Sequence, residues 1–142
     1  MARLFFSGRH ETGFRRARAV VIAAAALAGT AAIATPANAA SASCAVVFDT
    51  GSHYVTGFTV PGHVVNTGTT AFTGWRISWT FTGDEKLFSL LTTKWTQTGQ
   101  SVTAGNVSWN GTVNPGGAVT ITAVGSSTNG VFGVTGLTCT PL

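Results

Sequence analysis

The stretch WRISWTF, residues 75–81, alternates without a fault. Trp75, Ile77, Trp79 and Phe81 fall on one side of an extended chain; Arg76, Ser78 and Thr80 fall on the other. One strand cannot bury two indoles and a phenyl ring, so a second apolar layer must lie over that face. Further strand candidates are CAVVFDT (44–50), GHVVNTG (62–68), QSVTAGNVSW (100–109) and GAVTITAV (117–124). Turn signals separate them: NTGT (66–69), TGDE (82–85), QTGQ (97–100) and NPGG (114–117). No long segment after Cys44 has a 3.6-residue period. The pattern predicts an all-β fold, an antiparallel immunoglobulin-like sandwich of about nine strands. LFSLL (87–91) fits a helical turn or a buried strand equally well.

The N-terminal segment has a different character. Arg3, Arg9, Arg15, Arg16 and Arg18 precede the alanine-rich apolar run 19–34, and Ala37-Asn38-Ala39 fits a small-residue cleavage pattern. The run is short for a membrane span, so residues 1–39 read as a signal peptide and residues 40–142 as the single mature domain. The whole chain carries a formal charge of +4. The mature part balances Arg76, Lys86 and Lys94 against Asp49, Asp84 and Glu85. The excess charge therefore belongs to the export signal, which argues against nucleic acid or a membrane surface as partner. Export implies an oxidising compartment. Cys44 and Cys139, the only cysteines, are expected to pair and tie the first strand to the last, two free thiols being the alternative.

The mature part is poor in catalytic groups. Its three acids include the neighbours Asp84 and Glu85, which point apart in extended chain. Glycoside hydrolysis needs two carboxyls converging across one bond. His53 and His63 read as turn or surface residues, and no nucleophile motif surrounds a serine. A copper-dependent oxidative polysaccharide cleaver needs histidine as its first mature residue, where Ala40 or Ser41 would stand. No catalytic residue, cofactor or metal ligand set is therefore expected.

Aromatic rings remain. Face parity assigns Trp75 and Trp79 to the core. Asn110-Gly111 reads as a type I′ hairpin tip, which would leave Trp109 beside water. Tyr54 lies in the loop-like stretch DTGSHYVTGF (49–58). Two rings at turns of a small uncharged domain suggest a stacking surface for the C–H face of a sugar.

The order of short motifs between Cys44 and Cys139 resembles a family 2 carbohydrate-binding module of the bacterial cellulose-binding type. The markers are GF (57–58), NTG (66–68), GW (74–75), TQTG (96–99), WNG (109–111) and PGG (115–117). The resemblance implies a β-sandwich with a terminal disulfide and a line of three exposed rings. Tyr54 takes the place of the first ring, in Tyr54-Val55-Thr56-Gly57-Phe58, and Trp109 that of the third. Counting back from TQTG puts Leu91 at the second, a position without a ring. Trp95, four residues on, is core or a substitute ring, core being favoured. Glycine three residues after the first ring goes with cellulose in this family, arginine with xylan; Gly57 stands there.

The reading is a secreted, monomeric, stand-alone binding module for polysaccharide, most of all cellulose, with xylan or chitin as other ligands. Two alternatives stay open: an accessory module or fragment of a glycoside hydrolase, and a structural or adhesive surface protein whose sugar site has decayed.

Overall fold

The computed structural model describes residues 39–142; the expected export segment lies outside them apart from Ala39. Nine strands and no helix make up the described residues: β1 (Cys44–Phe48), β2 (Ser52–His53), β3 (Gly57–Asn66), β4 (Trp75–Phe81), β5 (Lys86–Leu91), β6 (Thr93–Thr98), β7 (Ser101–Asn106), β8 (Ala118–Ser126) and β9 (Val134–Pro141). One sheet has the order β1-β3-β8-β5, with the short β2 also pairing β3; the other runs β6-β7-β4-β9. Every pairing is antiparallel. The all-β sandwich expected from alternation is the fold observed.

The core lies between the sheets. The first contributes Phe58, Val60, Val64, Leu87, Leu90, Ile121 and Ala123; the second contributes Trp75, Ile77, Trp79, Phe81, Val102 and Ala104. Trp75 and Trp79 are buried, as their parity requires. Phe48, Phe58, Trp79, Phe81 and Phe132 form a chain of tilted and edge-to-face rings with centroids 4.9–6.4 Å apart, the geometry in which a positive ring edge meets a negative face.

Three places depart from the sequence reading. The strand expected at Gly62 starts at Gly57 and runs through Pro61. Proline lacks the N–H a central strand needs, but Pro61 faces the gap between β1 and β2, where its carbonyl accepts from Asp49 N at 2.8 Å. Residues 87–91 are strand rather than helical turn, with a register shift between Leu87 and Ser89. Asn110-Gly111 is not a hairpin tip. β7 and β8 belong to different sheets, and neither residue has positive φ. The only pairing of this connection is the antiparallel bridge Phe72–Val113.

The two sheets are covalently joined at both edges. At one, Cys44 of β1 is bonded to Cys139 of β9, with Cα atoms 5.5 Å apart, so the expected pairing is the observed one. Closing a loop of 95 residues contributes about 4–5 kcal/mol in the chain-entropy account. At the other edge the chain passes from β5 to β6 through Thr92 alone. Switching sheets in one residue forces a sharp corner, and Thr92 is the only described non-glycine residue with positive φ, +64°. That strain, costly for a β-branched side chain, is offset by its hydroxyl, whose single proton is donated to the Leu91 or the Thr120 carbonyl, 2.6 and 2.7 Å away.

Trp75 is the largest fully buried side chain. Trp75→Ala is expected to lower unfolding free energy by about 3–5 kcal/mol through the cavity it leaves. Urea denaturation followed by far-UV circular dichroism measures this; a loss under about 1 kcal/mol contradicts the assignment.

Candidate functional site

Asn110 is buried although polar, and its bonds explain why. Its carbonyl accepts from the Trp75 indole Nε1 at 2.9 Å. Its side-chain Oδ1 accepts from Val107 N at 2.8 Å, and its Nδ2 donates to the Thr92 carbonyl at 2.7 Å. Asn106 completes the net: its Oδ1 accepts from Trp75 N at 3.1 Å and its Nδ2 donates to the Val107 carbonyl at 3.0 Å. Gly111 passes so close to the Thr73 carbonyl that a Cβ would collide with it. The connection after β7 is thus pinned to a core tryptophan on one side and to the Thr92 corner on the other. Trp109, at the outer bend of this connection, is 72% exposed.

Tyr54 is placed by a second net. Its backbone N donates to the Gly57 carbonyl at 2.7 Å, closing a tight turn between β2 and β3. Phe58 points into the core, so Gly57 faces outward. A Cβ there would sit 3.9 Å from Tyr54 Cδ2, which puts the tyrosine ring against the outer face of the first sheet. The ring is 64% exposed in sum over its residue. Behind this turn lies the 127–133 connection. His53 Nδ1 donates to the Gly130 carbonyl at 2.8 Å, and Ser127 N donates to the Thr56 carbonyl at 3.2 Å. Gly130, at φ +70°, abuts the Tyr54 carbonyl so closely that only glycine fits.

Two acids hold that connection. Asp84 accepts from Thr128 N at 3.0 Å and from the Thr128 hydroxyl. The Thr128 hydroxyl and then its backbone N–H favour the carboxylate, holding the Asp84 pKa below its ordinary value. Glu85 is buried and accepts from Gly83 N and Gly133 N, each at 2.8 Å. Adjacent in sequence, the two differ in burial and in partners. Asp49 pairs with His63, Oδ2 to Nε2 at 2.9 Å, on the outer surface of the first sheet. The three acids of the described residues are therefore engaged in separate contacts.

Leu91, at the position counted back to the second ring, is half-exposed at the end of β5, next to the Thr92 corner that anchors the Trp109 connection. Trp95 is on β6 of the opposite sheet and packs, partly buried, against the core. It shares no sheet with Leu91 or Tyr54. The sequence reading overlooked Phe88, an exposed ring on β5. Its signal is faint: in LFSLL, strict alternation cannot bury both Leu87 and Leu90, and only the register shift does so.

Comparison with known proteins gives the following. The model of the family described as "Cellulose binding domain" matches residues 44–139. Exoglucanase B of Cellulomonas fimi is 37% identical over 103 residues, which cover 69% of this chain and 9% of that protein. The chain thus corresponds to a small part of this relative. The solution structure of the chitin-binding domain of Chi18aC from Streptomyces coelicolor is 33% identical with a TM-score of 0.58, covering 70% of this chain and 91% of that one. The cellulose-binding family 2 carbohydrate binding domain from ScLPMO10C is 28% identical with a TM-score of 0.56, covering 72% and 99%.

Two outcomes follow from the nets. Asn110→Ala leaves Val107 N and the Thr92 carbonyl without their partner and is expected to cost about 2–4 kcal/mol in urea denaturation. An Asn110→Ala protein as stable as the parent would show that the net does not hold the connection. Because the folded Asp84 pKa lies below its unfolded value, its contribution is present above about pH 4 and is lost as pH falls through the folded pKa. The stability gap between the parent and Asp84→Ala should therefore narrow as denaturation curves are taken from pH 6 down to pH 2. A gap constant over that range contradicts it.

Proposed function

The chain belongs to the cellulose binding domain family, the non-catalytic family 2 carbohydrate-binding modules, and from that premise we propose that it adsorbs to an insoluble β-1,4-linked polysaccharide, cellulose first. The observation that carries the reading is Trp109: a large ring left in water while the next residue, Asn110, is pinned to the core. An indole outside the core forfeits burial that folding would otherwise gain, and a sugar ring supplies a flat apolar partner for it. Tyr54, presented on a turn fixed from behind by Gly130, is the second such ring. Neutral sugar needs no countercharge, in keeping with the balanced charge of residues 40–142.

Gly57 supports cellulose over xylan. A long side chain there would stand against the Tyr54 ring, where glycine leaves the backbone bare. Chitin is the second reading, favoured by the 33% identity to a chitin-binding domain. The N-terminal segment read as an export signal, residues 1–39, supports a place outside the cell, where such polymers are met, and in this reading the module acts as a monomer.

Truncating an aromatic hot spot costs on the order of 2–4 kcal/mol, so Trp109→Ala should weaken adsorption to microcrystalline cellulose by roughly 30-fold or more. Its melting temperature should stay close to the parent's, because the ring lies outside the core. Depletion isotherms on cellulose, chitin and xylan test both points. Equal adsorption by parent and Trp109→Ala, both folded, removes the stacking explanation. Stronger adsorption of the parent to chitin than to cellulose replaces the first reading by the second.

A further inference from the structure

β5 carries one residue more than its partner β8. Leu87 pairs Gly125 and Ser89 pairs Val124, with Phe88 the extra residue between them. A β-bulge of this kind re-aims side chains. Without it, Leu87 in the core would draw Ser89 and Leu91 inward and leave Leu90 outside with Phe88. With it, Leu87 and Leu90 are both buried, while Phe88 and Leu91 are both exposed.

The outer face of this sheet can be read row by row from its pairings. Gly57, Ser126 and Lys86 form one row, against which the Tyr54 ring lies. Thr59 and Val124 form the next, with Phe88 and Ser89 opposite Val124. Pro61, Thr122 and Leu91 form the third, and the corner after it holds the Trp109 connection. Phe88 thus stands on the row between Tyr54 and Leu91, roughly 7 Å along the strand from the latter. It is 69% exposed, close to the 72% of Trp109.

We infer that Phe88 is the middle ring of the polysaccharide-binding strip, and that Leu91, where the ring would be expected, is an aliphatic floor beside it. The inference rests on the reading that Tyr54 and Trp109 stack on sugar rings. It follows from continuity: Phe88 shares their exposure, lies on the row between the two nets that fix them, and is put there by a local break in pairing. Moving the ring one row brings it nearer Tyr54 and lengthens the interval to Trp109, so the strip is unevenly spaced. Its ligand is the same β-1,4-linked chain, met through the C–H face of one further sugar residue.

The test uses the exported protein and depletion isotherms on crystalline cellulose and crystalline chitin. Phe88→Ala should adsorb at least about tenfold more weakly, and Leu137→Ala, an exposed side chain on β9 of the opposite sheet, like the parent. Both should keep the parent's thermal transition. Phe88→Ala adsorbing like the parent, with Trp109→Ala strongly weakened, overturns the inference and leaves the broader reading standing. A parent retained by neither polymer overturns the broader reading and this inference with it. Phe88→Trp gives an independent readout: its added indole emission should shift to the blue on titration with cellohexaose or chitohexaose, relative to the parent. An emission change identical to the parent's counts against the inference.

Discussion

A tryptophan packed between two sheets brings a polar N–H with it, and burial costs that N–H its hydration: Trp79 Nε1 is buried without an acceptor, whereas Trp75 Nε1 has one. For Trp75 the acceptor is the Asn110 carbonyl at 2.9 Å. Everything at this end of the molecule follows from that bond. The backbone at 110 has to come inward to make it, so the connection from β7 cannot close as a hairpin. The Asn110 side chain, carried inward too, needs partners, and finds Val107 N and the Thr92 carbonyl. The Thr92 carbonyl is available because the chain turns there from one sheet to the other with φ +64°. Trp109, one residue before, lies outside.

The opposite end of the proposed ring strip is held by unrelated means. Asp84 and Glu85 fasten the 127–133 connection, and that connection backs the Tyr54 turn. The two ends share no hydrogen bond; the distance between them is set by β8 and its neighbours. Four residue steps along β8, from Thr122 to Ser126, separate the Leu91 row from the Tyr54 row, about 14 Å of extended strand. The interval is thus fixed by backbone pairing rather than by side-chain rotamers. Little ordering is left to occur on contact with a ligand, which lowers the entropic cost of association.

Much of this was legible in the sequence. Alternation in 75–81 assigned Trp75 and Trp79 to the core, and the two terminal cysteines identified the bonded edges. What escaped was tertiary in origin. Asn-Gly favours a tight hairpin locally, but a residue whose side chain bonds two ways and whose carbonyl bonds a third is worth more to a buried corner, and the local preference is overridden. Pro61 looks like a strand breaker because its sequence cannot say that the facing edge is a gap between β1 and β2. β9 is exposed along most of its length and so lacks an apolar rhythm. Phe88 escaped because a bulge changes parity midway through a strand, and no local residue announces it. The rings of the candidate site were legible by type and by resemblance; their support came only with the fold.

β9 is the outermost strand of its sheet and carries few apolar side chains. Its pairing with β4 slips between Ser78 and Thr80, where Gly136 takes φ +62°. An unbroken edge offers free N–H and C=O groups to any neighbouring chain, whereas a kinked one does not. Adsorption on a solid, as proposed, would crowd many copies into a single layer at high lateral density. The kinked β9 is a poorer template for such edge-to-edge pairing than a regular strand of the same length would be.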